Sequence, residues 1–262
     1  MRKTMADYRN IQAQNSAGVR VDAGIDQGLR SYMLKVYNLM AIGLAVTGLA
    51  ALAIVYLTTT NDASLAAATL PNGKMLTSFG VTFYVSPLKW VVMLAPLAAV
   101  FFLSFRINSM SVAAAQTTFW VYAALVGASL SSIFLVYTSG SIVQTFFITA
   151  ASFGALSLYG YTTKRDLSGF GSFLFMGVIG ILLASVVNIF LQSSALQFAI
   201  SAIGVLVFAG LTAYDTQQIK EMYYEGDDTD SYGRKAIMGA LRLYLDFINM
   251  FMFLLQFLGN RE

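Results

Sequence analysis

From residue 33 onward the chain reads as long apolar runs divided by short polar breaks. Seven runs stand out, at 33–57, 88–105, 112–136, 142–161, 170–191, 195–215 and 236–258. Each is close to the roughly 20 mostly apolar residues that carry a helix across a bilayer. None alternates in polarity as a strand of a membrane barrel must, and most breaks are too short to hold a separate domain. The pattern predicts an all-α integral membrane protein with a polar N-terminal tail over 1–32, one seven-helix transmembrane bundle over 33–258, and a short C-terminal tail over 259–262. The polar tail lacks a short apolar core followed by a small-residue cleavage site, so the first run is expected to act as its own uncleaved insertion signal.

Charge content supports the same class, since 11% charged residues is less than half of the about 25% found in soluble domains. The placement of the basic residues adds an orientation. With the N-terminus in the cytoplasm, that side collects Arg2, Lys3, Arg9, Arg20, Arg30, Lys35, Arg106, Lys164, Arg165, Lys220, Arg234 and Lys235, against Lys74, Lys89 and Arg261 on the other. This is a positive-inside distribution, and seven spans then put the C-terminus outside. The pI near 9.0 reflects that bias and implies no nucleic-acid partner. The chain has no Cys and no His. Disulfides, thiolate nucleophiles and imidazole bases are therefore excluded, and any proton sensing falls to carboxylates or another perturbed group.

Several local features invite chemistry and do not carry it. The outward loop 58–87 has a turn at Asn72-Gly73 and no reactive constellation. Pro96 is expected to kink the second span, and Gly127 and Ser131, four residues apart, to permit close helix contact. The run "LSGFGSF" lacks the strand context and spacing of a phosphate loop. The last inward loop, "KEMYYEGDDTDSYGRK", crowds Glu225, Asp227, Asp228 and Asp230. Read as an EF-hand from Asp228, it puts Tyr232 at the fifth position and Gly239 where the bidentate glutamate belongs. A solvated acidic turn is expected instead, with Gly226 ending one helix and Asp230 capping the next.

Four charges remain at or within the membrane: Arg106, Asp215, Arg242 and Asp246. An ionisable group at the bilayer centre costs about 2.5–3.5 kcal/mol on insertion scales, so each needs a reason. If Arg234 and Lys235 mark the interface, Asp246 lies about 15 Å deep, near the middle of a core about 30 Å thick. Asp215, counted from Lys220, lies about 7–8 Å deep. The depths differ by little more than one helical turn, which leaves contact between the sixth and seventh spans open. Two carboxylates sharing a dry site would titrate as one unit. Alternatively Asp246 pairs with Arg242, four residues earlier on the same face, and Asp215 reaches interfacial water. Arg106 is either a topology anchor or snorkels towards Asp215.

The segments "PLKWVVMLAPLAAVFFLSFRINSMS", "ALSLYGYTTKRDLSGFGSFL", "AYDTQQIK" and "ALRLYLDFINMFMFLLQFLG" resemble the transmembrane Bax-inhibitor-motif proteins, in their bacterial inner-membrane branch. The resemblance covers nearly the whole chain. It implies seven helices with the last at the centre of the other six. It further implies an aspartate pair on helices six and seven that latches a calcium leak pathway in a pH-sensitive way; by motif these are Asp215 in "YDTQ" and Asp246 in "LYLDF". A basic latch partner from helix two would fall on Arg106, and Arg242, one turn before Asp246, would modify the pair's titration.

The expectation is therefore a multi-pass inner-membrane protein with a cytoplasmic N-terminus that lets calcium leak, with Asp215 and Asp246 as gate and as oxygen ligands along the calcium pathway. No cofactor is expected; calcium is cargo, and the lipid bilayer is the standing partner. Two other classes compete. An intramembrane aspartyl protease also uses paired carboxylates, but its second aspartate sits in GxGD, where this chain has "LYLD". An interaction protein that modulates a membrane protease or cell-death partner would bind a membrane protein without ion flux.

Overall fold

A computed structural model describes residues 5–261 and is almost wholly helical. Seven helical stretches are long and apolar enough to cross a membrane. The first is the Gln27–Thr58 part of helix α1, Met5–Thr58. The second is α3, Leu88–Arg106, continued by a 3-10 turn at Ile107–Ser109 and unbroken at Pro96. Helices α4, Val112–Leu130, and α5, Ile133–Val136, together make the third. Then follow α6, Ser139–Thr162, α7, Ser168–Leu191, α8, Ser194–Glu221, and α9, Thr229–Leu258.

The helix starts are written in short polar residues. Ser111, Thr138, Ser193 and Asp228 each accept a hydrogen bond from the backbone N–H three residues on, which satisfies a donor the helix itself cannot. The Asp228 cap corrects the expected inner loop. Asp230 sits inside the first turn of α9 and pairs with Arg234 at 3.9 Å, and α8 continues to Glu221 rather than ending at Gly226. The connection between the last two spans is thus residues 222–228, not 216–235. Its carboxylates are in use: Lys235 donates to Asp227 at 2.6 and 2.9 Å.

On the opposite side, residues between α1 and α3 form a small antiparallel sheet of β1 (Thr59–Thr60), β2 (Ala68–Thr69) and β3 (Met75–Leu76), in the order β1-β3-β2, followed by α2 (Ser78–Tyr84). The Asn72-Gly73 turn feeds β3, with Gly73 at φ 85°, a conformation that glycine adopts without penalty.

Helix α9 is the hub. In its apolar window 61% of the residues are buried, against 11% in the α3 window and 17% in that of α7. It packs chiefly against α1, α4, α6 and α8, while α3 lies outside on α4 and α7 outside on α8. Lipid tails are as apolar as the side chains, so helices associate here through close fit rather than through escape from water. Gly127 shows the consequence: a Cβ there would collide with the Thr47 carbonyl of α1. Gly160 does the same for α6 against the Ala213 carbonyl of α8. Ser131, one turn after Gly127, is buried, accepts from the Tyr84 hydroxyl at 2.9 Å and donates back to the Ala128 carbonyl. That local bond falls where α4 breaks before α5.

Candidate functional site

The seam between α8 and α9 carries both intramembrane aspartates. The two helices run antiparallel, and their register is readable from contacts along the seam: Gly239 faces Ile219, Gly204 faces Phe253, and Ser201 bonds Gln256. That register sets Asp215 level with Leu243, within about one helical turn of Asp246. The difference in depth inferred from sequence is reduced by α9, whose first turns extend past the end of α8, with the 222–228 connection folded back along them through Asp227 and Lys235.

Asp246 is 4% exposed among the buried Leu243, Tyr244, Phe247 and Met250. Asp215 is partly buried. The two carboxyl groups lie within interaction reach of each other across the seam. A hydrogen bond between them needs a proton on one, since two carboxylates offer acceptors only. Asp246 Oδ2 is buried and has no hydrogen-bond partner among the described residues. An ionised, unpaired oxygen in that place would carry a full desolvation penalty.

The two arginines stand apart from this pair in different ways. Arg242 is exposed on α9, one turn before Asp246. No ion pair among the described residues joins it to Asp246. Arg106 is exposed at the end of α3, and no described hydrogen bond or ion pair of its side chain leads to either aspartate. The structure therefore brings together Asp215 and Asp246, with Arg242 one turn from Asp246, and leaves Arg106 outside the cluster.

Sequence reading missed the polar ties that hold the seam. At the level of the aspartates, the Tyr37 hydroxyl of α1 and Ser157 Oγ of α6 lie 2.6 Å apart, and Ser157 meets Thr216 Oγ1 of α8 at 2.9 Å. Thr216 spends its own proton on the Thr212 carbonyl, so the chain of donation runs from Tyr37 to Ser157 to Thr216. Nearer the helix end, Gln217 accepts from Leu167 N and donates to the Arg165 carbonyl, and Lys220 donates to the Tyr161 carbonyl. On the far side of α9, Tyr244 meets Thr47 Oγ1 at 2.6 Å, and Thr47 in turn donates to the Ala123 carbonyl of α4. Single hydroxyls inside apolar runs leave no periodic trace, which is why these ties were invisible.

The opposite end of the seam is closed by neutral groups. Asn188 of α7 donates to Gln197 Oε1 at 3.1 Å, Gln197 of α8 donates to Gln256 Oε1 at 2.8 Å, and Ser201 donates to the same Gln256 oxygen at 3.2 Å. Asn188 Oδ1 accepts from Ser193 N. Gln256 interrupts the apolar run "FLLQFLG", and that interruption was the available signal. No group of three or more metal-ligating carboxylate side chains is present among the described residues, so the aspartate pair supplies only part of the 6–8 oxygens that calcium takes.

The profile of the family described as "Inhibitor of apoptosis-promoting Bax1" matches residues 29–262. The chain is 48% identical over 237 residues to the inner membrane protein YbhL of Escherichia coli strain K12, covering 90% of this chain and 94% of that one. It is 47% identical over 260 residues, 98% of this chain and 100% of the other, to an uncharacterized protein of Caulobacter vibrioides. An uncharacterized membrane protein of Streptococcus pyogenes, SpyM3_0260, is 33% identical over 239 residues, 90% of this chain and 96% of its own length.

Proposed function

The chain belongs to the Bax-inhibitor family, and from that premise and the placing of Asp215 and Asp246 we propose that it is a calcium leak pathway of the bacterial inner membrane, closed by that pair. The observation that carries the reading is the approach of two carboxyl groups across the α8/α9 seam, with Asp246 buried and its Oδ2 without a hydrogen-bond partner among the described residues. While the pair holds a proton, a bond between them ties the central helix to α8. When rising pH removes the proton, two carboxylates face each other in a dry seam, and their repulsion favours separation. Separated, they offer anionic oxygens to a hard cation on its way through. Protonation biases the equilibrium only by the difference in proton affinity between closed and open states. The pathway performs no covalent chemistry, and the protein is not an enzyme in this reading.

The same reading puts the N-terminus and the 222–228 connection in the cytoplasm, from the basic side chains gathered at that end, and takes the inner membrane from the Escherichia coli relative, an inner membrane protein. Single cysteines introduced into this cysteine-free chain test the orientation by labelling from one side. The function itself is tested by calcium entry into liposomes that hold the purified full chain. Entry above that of empty liposomes, rising with pH, is expected. No entry with insertion verified would end the leak assignment, and cleavage of a transmembrane peptide that either Asn variant abolishes would replace it with a protease.

A further inference from the structure

Helices α1 and α6 leave a groove between them, about 470 Å³ in volume, at the end of the bundle that carries the basic side chains. Its walls include Leu34 and Leu158, both more than half exposed. At the groove floor Tyr37 and Ser157 bridge the gap with their 2.6 Å hydrogen bond. At its rim stands Arg30, exposed, and within it Gly154 faces open space, where a Cβ would touch nothing within 4 Å.

A groove open to the hydrocarbon of a bilayer cannot stay empty, because lipid is the solvent there. What an acyl chain alone would not explain is the Arg30 guanidinium at the mouth, a fork suited to phosphate. We propose that this groove is a binding site for an anionic phospholipid of the leaflet on the N-terminal side, with one acyl chain between α1 and α6 and the headgroup phosphate on Arg30. The occupant would lie against Tyr37, the first donor of the chain that ends on Thr216, next in sequence to Asp215. A lipid that presses α1 and α6 apart or together therefore acts on the helix that bears half of the carboxyl pair. The site does not depend on the leak reading, since binding can be measured without ion flux.

The test uses the full chain in vesicles of phosphatidylcholine containing a minor fraction of phosphatidylglycerol whose acyl chain bears a photoreactive group, with cross-links mapped by peptide mass spectrometry. Cross-links are expected to concentrate on α1 and α6 at Leu34 and Leu158, several-fold above those on α7, which is at least as exposed to lipid at Leu183 and Phe190. Gly154→Phe, whose Cβ would meet no atom within 4 Å, puts a ring into the groove and should remove that excess. Arg30→Gln should leave the labelling in place but erase the preference for phosphatidylglycerol over an identically tagged phosphatidylcholine. Uniform labelling of all lipid-facing helices, or an excess that survives Gly154→Phe, overturns the site. An equal preference for both headgroups in the unaltered chain overturns its anionic character.

Discussion

The two ends of the α8/α9 seam are closed by different chemistry. At one end stand two neighbouring carboxyl groups, one of them buried, which can bond each other only while a proton is shared. At the other end stand Asn188, Gln197, Ser201 and Gln256, joined by bonds of 2.8–3.2 Å among neutral donors and acceptors. Amides have no titration in the accessible range, so their bonds persist at any pH. The comparison teaches where sensitivity to pH can reside in a protein without histidine. Both ends lie on the same helix pair, yet of the two only the carboxyl end holds groups whose bonding can change with pH.

The largest effect expected from breaking this contrast is on the carboxyl end. Asp215→Asn or Asp246→Asn alone should flatten the pH dependence of calcium flux, and the double variant should add little to either, because one proton serves both groups. Additive effects in a double-mutant cycle would show two separate sites instead. Asp246→Ala, which removes charge and bond together, should leave flux altered and insensitive to pH rather than absent.

A smaller effect should come from the cation beside the pair. Arg242 stands one turn before Asp246 on α9 and carries an exposed cation there. Arg242→Ala should therefore move the midpoint of the flux profile to higher pH, by about one unit or less given the exposure of the side chain. A loss of folded protein with no shift of midpoint would make Arg242 a structural partner only.

At the amide end the expectation inverts. Gln256→Leu removes the acceptor of both Gln197 and Ser201 and should cost about 1 kcal/mol of stability, the range of interhelical hydrogen bonds in bilayers. The midpoint of the pH profile should stay where it was. If that midpoint moves as far as in Arg242→Ala, the two ends are not independent and the comparison fails.

How much of this was legible beforehand differed by feature. The seven spans followed from run length alone, because the bilayer imposes that length on any sequence. The helix ends did not: α8 was cut at Asp215 and α9 started at residue 236, since the amphipathic turns 216–221 and 229–235 look polar while remaining helical. The aspartates were found by resemblance and by depth, yet their contact depended on the overhang of α9 past α8, which no count of residues could supply. Arg106 lies at a helix end from which its direction could not be read, and it points to no carboxylate among the described residues. Gln197 and Gln256 were overlooked because polar residues near the end of a span usually face interfacial water.

The smallest effect concerns the start of α9. The carboxyl of Asp228 is held below the usual carboxylate range by its hydrogen bonds with the side chain and backbone N–H of Ser231. Its contribution is therefore present above the unfolded value and fades as pH falls through the folded one. Asp228→Asn keeps the cap and should remove only the acid-side decline in stability, measured by thermal unfolding in detergent across mildly to strongly acidic pH. An unchanged decline would mean that other carboxylates set it.

The shared proton is most directly seen by infrared difference titration of the full chain in lipid, recorded beside calcium flux on the same preparation. A band of protonated carboxyl should disappear over the same pH range in which flux rises. Isotopic or vibrational shifts of that band should follow both Asp215→Asn and Asp246→Asn, with flux flattened in each. A band that titrates in a range unrelated to flux, or one that survives unshifted in both variants, would contradict the account.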